Sequence, residues 1–135
     1  MKATELMIGD WVGRVFDDKR IDYRQVDWIR TGEIGMRYQK VWAIGCIEPI
    51  PLTAEILEKD GWERDIDKEW KYNNSHILPH YCYQWEKQNV KIEMYAGLEG
   101  FTISLIIGRR FYAVHELQHV LRLYGLDELA DNFKI

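Results

Sequence analysis

An α+β chain is predicted, with a small curled β-barrel at the N-terminus followed by an antiparallel sheet flanked by two helices. Three observations predict it. Residues Asp10 to Leu52 carry short apolar and aromatic runs broken by turn residues, with no helical period. Runs between Glu69 and Ile106 alternate apolar and polar residues, the period of strands with one wet face. Helical periodicity is confined to two places, after Thr53 and over Val114 to Tyr124.

In the first region Trp11 to Phe16 is the first strand, and Asp17 to Arg20 is the turn after it. Ile21 to Ile29, Ile34 to Tyr38 and Val41 to Ile47 follow, with Arg30 to Glu33 turning between the first two of these. Four or five short strands in so few residues resemble the SH3 type of barrel. Trp11, Trp28 and Trp42 are expected to pack in its core or rim, the alternative being an aromatic peptide-binding groove.

Pro49-Ile50-Pro51 is stiff and extended, and it divides a barrel-like subdomain over residues 1–50 from an α+β subdomain over residues 51–135. Thr53 caps a helix that runs to about Asp60 and stops at Gly61. Glu63 to Lys68 is polar and reads as loop. Strands are then expected at Glu69–Tyr72, Tyr81–Glu86, Val90–Tyr95 and Phe101–Ile106, with Arg110–Ala113 as one more. Gly97 to Gly100 makes a hairpin turn.

In the last helix Val114, Leu117, Val120, Leu121 and Tyr124 share one broad stripe, so His115, Gln118, His119 and Arg122 fall on the face expected to meet solvent. Gly125 is the expected stop, and Asp127 is placed to cap a short turn from Glu128 to Asn132.

That helix carries His115-Glu116-Leu117-Gln118-His119, which fits H-E-x-x-H. Two histidines one turn apart can hold zinc while the glutamate activates a bound water. Taken so, His115 and His119 are metal ligands and Glu116 is the general base of a minimal zinc-dependent hydrolase. Two features oppose this. Arg122 places a fixed positive charge one turn beyond His119, unfavourable beside a dication unless an acid intervenes. A third protein ligand is also needed, and the metzincin continuation is broken, with Arg122 at its glycine and Gly125 at its histidine. His76, His80, Cys82, Asp127 and Asp131 are the remaining candidates, but Asn73-Asn74-Ser75 and Pro79 place His76 and His80 in a loop. The expectation is therefore no catalytic residue, no metal and no cofactor, with zinc as the alternative.

The charge balance gives phosphate backbones little to hold: the net charge is −4, and the first 50 residues carry eight basic and eight acidic side chains. Nucleic-acid binding through the barrel, using Arg14, Arg20, Arg24 and Lys40, is a reading from fold analogy alone. Hydrophobic residues at 47% and aromatics at 13% suffice for a core. No secretory leader and no apolar run of membrane-spanning length is expected, and two cysteines do not suggest an oxidising compartment, so the chain is read as cytoplasmic. Cys46 and Cys82 are expected as free thiols, Cys46 behaving as a small buried hydrophobe.

Met7-Ile-Gly-Asp-Trp-Val12, Ile47-Glu-Pro-Ile-Pro-Leu-Thr53, Glu55-Ile-Leu-Glu-Lys59 with Gly61-Trp62, and Val114-His-Glu-Leu-Gln-His119 resemble short uncharacterised proteins of Bacteroidales genomes and their phages and mobile elements. The resemblance spans most of the chain, and Pro-Ile-Pro-Leu-Thr is its most specific part. It implies no established activity. Some members carry glutamine or asparagine where Glu116 and His119 stand, which suits a structural helix. The expected role is a non-catalytic accessory protein of phage or mobile-element type acting through protein contacts, with self-association through an exposed sheet edge as a further route.

Overall fold

The computed structural model describes residues 1–38, 40–64, 81–85, 90–94, 101–103 and 110–135. The fold is α+β. Two compact units divide the chain: residues 1–51 with 113–133 form the first, and residues 52–112 with 134–135 the second. The first boundary falls beside the Pro49-Ile50-Pro51 linker. The last helix, placed by sequence in the C-terminal subdomain, groups with the N-terminal strands, and it packs on the first of them.

In the first unit β1 (Trp11–Val15), β2 (Ile21–Arg30), β3 (Glu33–Met36) and β4 (Lys40–Ala43) form an antiparallel sheet in sequence order. β2 serves two partners in succession: residues 21–25 pair with β1 and residues 26–30 with β3, with a bulge between Val26 and Trp28. A bulge bends its strand and adds twist, so the ribbon curls. The curl does not close into a barrel, since β4 forms no ladder with β1. After β4 a 3-10 turn, Ile44–Cys46, brings Glu48 back to β1, where Gly13 and Glu48 exchange both backbone hydrogen bonds at 2.9 and 2.8 Å.

Leu6, Val12, Val26, Ile34, Met36, Trp42 and Ile47 are buried together inside the curl. Each large apolar side chain so enclosed contributes about 1.5–3 kcal/mol. Trp42 is the core tryptophan expected from sequence, while Trp11 and Trp28 are half-buried. Cys46 is a free thiol but is exposed, contrary to its apolar sequence neighbours: the 3-10 turn carries it away from the buried Ile47. Helix α2 (Val114–Leu123) packs on β1 and on the short helix α3 (Asp127–Asp131). Gly125 takes a left-handed φ of 74° beyond α2, as expected, whereas Asp127 is the first residue of α3 and does not cap it.

In the second unit α1 (Ala54–Asp60) starts where Thr53 Oγ1 accepts the Ile56 N–H at 3.3 Å and ends at Gly61, with φ of 102°. Both ends match the sequence expectation. β5 (Glu63–Arg64), β6 (Tyr81–Trp85), β7 (Val90–Met94), β8 (Phe101–Ile103) and β9 (Arg110–Phe111) form an antiparallel sheet in that order. Glu63 and Arg64, read as loop from their charge, pair with Gln84 and Tyr83 as an edge strand, where polar side chains are tolerated. Tyr83 and Leu57 are buried, and Trp62 packs edge-on against Trp85 at 5.5 Å. The expected strand at residues 69–72, the turn at 97–100, and His76 and His80 lie outside the described residues. No described helix is long and apolar enough to cross a membrane.

Candidate functional site

The H-E-x-x-H face of α2 does not meet solvent as its polar residues suggested. Residues 7–11 run across it as a strap. Gln118 is fully buried: its Oε1 accepts the Trp11 N–H at 2.8 Å, and its Nε2 donates to Gly9 O and Ala130 O, both at 2.9 Å. Gln25 Nε2, from β2, donates to the same Gly9 carbonyl and to Asp131 O, each at 3.1 Å. Trp11 Nε1 donates to Phe133 O at 2.7 Å. Two buried amides and one indole therefore tie the strap, β2, α2 and α3 into one polar layer. An unpaired group here would carry a desolvation penalty of about 1–3 kcal/mol.

Asp10 is the acid that the sequence required beside Arg122. Its carboxylate is wholly buried, and three donors converge on it. His119 Nε2 and the Met7 N–H reach Oδ2 at 2.6 and 2.8 Å, and Arg122 Nη1 reaches Oδ1 at 2.7 Å. The second guanidinium nitrogen of Arg122 donates to Asp131 Oδ1 at 3.1 Å. A carboxylate oxygen only accepts, so the bond to Asp10 assigns the proton of His119 to Nε2. That nitrogen has no lone pair left for a metal.

His115 is buried one turn earlier, its ring edge-on to that of His119 with centroids 5.6 Å apart. Its Nδ1 has no hydrogen-bond partner. Burial pushes its pKa below the usual 6.5, and the neighbouring His119 adds to this; Asp10, Glu116 and Glu5 pull the other way. Burial thus favours the neutral ring. Glu116 lies half-buried in the first turn of α2. The fold thus brings His115, Glu116 and His119 onto one segment and adds Asp10 to His119. Among the described residues no three His, Cys, Asp or Glu side chains surround a point where an ion would sit. Asp127 and Asp131 stand on α3, where Asp131 serves Arg122.

Sequence reading missed Asp10, Trp11, Gln25 and Gln118 as partners of this helix. The one signal was indirect: Arg122 beside His119 demanded an acid, and no spacing rule names an acid 112 residues away.

A second cluster lies at the open end of the curled sheet. Arg14, Phe16, Arg20, Ile21, Asp22, Arg24, Lys40, Val41 and Trp42 line a groove of about 480 Å³. All four cations singled out from sequence are among them. Arg14 and Arg20 both lie over the Phe16 ring, at 4.5 and 4.4 Å from its centroid, and Arg24 Nε pairs with Asp22 at 3.2 Å. Phe16 is the more open aromatic at the groove; of the tryptophans considered from sequence, Trp42 alone lines it, and it is 3% exposed.

No family model, no curated protein and no solved structure matches this chain.

Proposed function

We propose that this chain is a non-catalytic accessory protein that works by binding another protein, of the kind carried by phages and mobile elements. The observation that carries the reading is the Asp10 carboxylate. It takes up His119 Nε2 and Arg122 together, so the nitrogen that a zinc site would use is spent on a buried internal bond. His115, Glu116 and His119 are then parts of a structural helix, and the surface free for function is the groove of the curled sheet. The curled N-terminal sheet is read as an open relative of the SH3-like barrel, in support of which Glu48 returns to Gly13 after the 3-10 turn. The exposed thiol of Cys46 supports a reducing, cytoplasmic setting.

The test is the zinc content of protein purified without an affinity tag or chelator, alongside His119→Ala. Metal-free protein that melts identically with and without added zinc supports the binding reading. About one zinc per chain, lost in the variant, overturns it in favour of a hydrolase with His115 and His119 as ligands and Glu116 as base.

A further inference from the structure

We propose that the groove at the open end of the first unit takes an acidic, extended segment of a partner protein, its carboxylates on Arg14, Arg20 and Lys40 and its backbone along the exposed strand edges. This deepens the binding reading above and rests on it.

The register shows how the groove is built. Val12 pairs with Arg24 and Arg14 with Asp22, and paired residues share a face of the sheet. Val12 and Val26 are core residues, so the two-residue period puts Arg14, Asp22 and Arg24 on the concave, core-facing side. On β4 the same period puts Lys40 on the side of Trp42. Along one concave face, apolar side chains thus give way to cations where the curl opens. Arg24 is neutralised by Asp22, whereas Arg14, Arg20 and Lys40 have no acidic partner at salt-bridge distance among the described residues. Phe16 holds two of these guanidiniums over its ring. Stacked guanidiniums keep their edges free for the planar, bidentate contact that carboxylates accept.

The backbone offers the second half of the contact. Asp10 O and Phe16 N face β2, taking bonds from Val26 N and to Arg20 O. The residues between them alternate, so Trp11, Gly13 and Val15 face away from β2. Trp11 N is taken by Gln118 and Gly13 by Glu48; Val15 is next in the series and has no such partner among the described residues. On β4, Ile44 N bonds to Gly32 O toward β3, so Val41 faces outward. Both strands are edges of the sheet, and both line the groove. An extended chain laid there finds main-chain donors and acceptors as an added strand does.

Peptide is favoured over nucleic acid on three counts. Single-stranded nucleic acid needs open aromatic faces for its bases, but Phe16 is covered by arginines and Trp42 is buried. Asp17 and Asp18, exposed in the β1–β2 turn, confine the positive potential to the groove in a chain of net charge −4. Ile21 and Val41, 52% and 53% exposed, give the groove aliphatic edges suited to side chains between carboxylates.

The experiment is fluorescence polarisation of the full-length protein against a short labelled peptide alternating glutamate and valine. A lysine–valine counterpart and an oligothymidine strand serve as competitor classes. The glutamate peptide is expected to bind at low ionic strength and to weaken as salt rises. Arg14→Glu and Lys40→Glu, exposed or half-exposed positions expected to leave the melting curve unchanged, should each weaken it about tenfold or more. Amide resonances of Val15 and Val41 should be among the most shifted. No binding at low salt, equal binding of the lysine peptide, undiminished binding by both variants, or tighter binding of the oligothymidine would each overturn the assignment. Mass spectrometry of the recovered peptide separates the two levels: an intact, unbound peptide removes only this occupant, while zinc-dependent cleavage removes the binding reading itself.

Discussion

Gln118 and Trp11 are joined across 107 residues of sequence by one hydrogen bond of 2.8 Å, from the Trp11 backbone N–H to the Gln118 side-chain oxygen. With its two donor bonds to Gly9 O and Ala130 O, this amide is the only group at its position that meets one donor and two acceptors at once. Gln118→Leu fills similar space but leaves the Trp11 N–H without its partner in a dry layer, while Gly9 O keeps only the Gln25 amide. It is expected to destabilise the protein by about 1–3 kcal/mol, read by urea unfolding, without change in the m-value.

Asp10→Asn tests the hub on the other side of the strap. A neutral amide cannot accept from His119, Met7 and Arg122 together, so the expected cost is about 3–5 kcal/mol, as for a buried ion pair that loses one partner. Combining it with Arg122→Met should cost less than the sum of the single changes, because the second no longer breaks an intact pair. Strictly additive values would show that Asp10 does not organise the site.

Protonation of His115 is expected to weaken the fold as pH falls. Its folded pKa lies below 6.5, so the unfolded chain binds the proton more readily. The associated stability is present above 6.5 and is lost as pH falls through that value toward the folded pKa. His115→Phe, which keeps an aromatic ring at the site, should flatten this part of the stability–pH curve. A curve unchanged by the substitution would contradict the assignment.

Asp60, in the second unit, acts with the opposite sign. Burial raises its pKa from 3.8 to about 6, against the opposing bonds from the Lys134 N–H at 2.7 Å and Trp62 Nε1 at 2.9 Å and the Lys134 charge. The folded state therefore holds the proton more tightly, and stability should decline as pH rises from about 4 to about 6, then level off. Asp60→Asn removes that decline. Comparing wild type, His115→Phe and Asp60→Asn across this range separates two slopes that partly cancel in the parent protein.

Gly35 faces the indole of Trp28 so closely that an added Cβ would fall within the ring. Gly35→Ala must push Trp28 aside, and with it the stacking of Arg30 over that ring at 4.7 Å. A loss of about 1–3 kcal/mol is expected, together with a changed tryptophan emission. Trp28→Ala should relieve the penalty at Gly35.

Local chemistry made the strands and the helix ends readable. Thr53, Gly61 and Gly125 act on groups within a few residues, and turn residues separate the runs that became β1 to β4. What was not readable depended on partners distant in sequence. Gln118 and His115 looked solvent-facing because a helical wheel assumes that polar means wet, whereas the strap and the short helix α3 bury both. Cys46 and Glu63 were misjudged for a related reason: a turn exposes the first, and an edge of the sheet recruits the second. Arg14, Arg20, Arg24 and Lys40 could be named, but their convergence on Phe16 and Trp42 needed the curl of β2.

The strap has a consequence for how the protein is made. Residues 7–11 are made before residues 52–112, yet the groups that complete them, Gln118, His119, Arg122 and the Phe133 carbonyl, are made after that stretch. Until then Asp10 is a hydrated carboxylate and the curled sheet lacks the helix that packs on β1. The bonds that hold the strap are therefore among the last that the first unit can make.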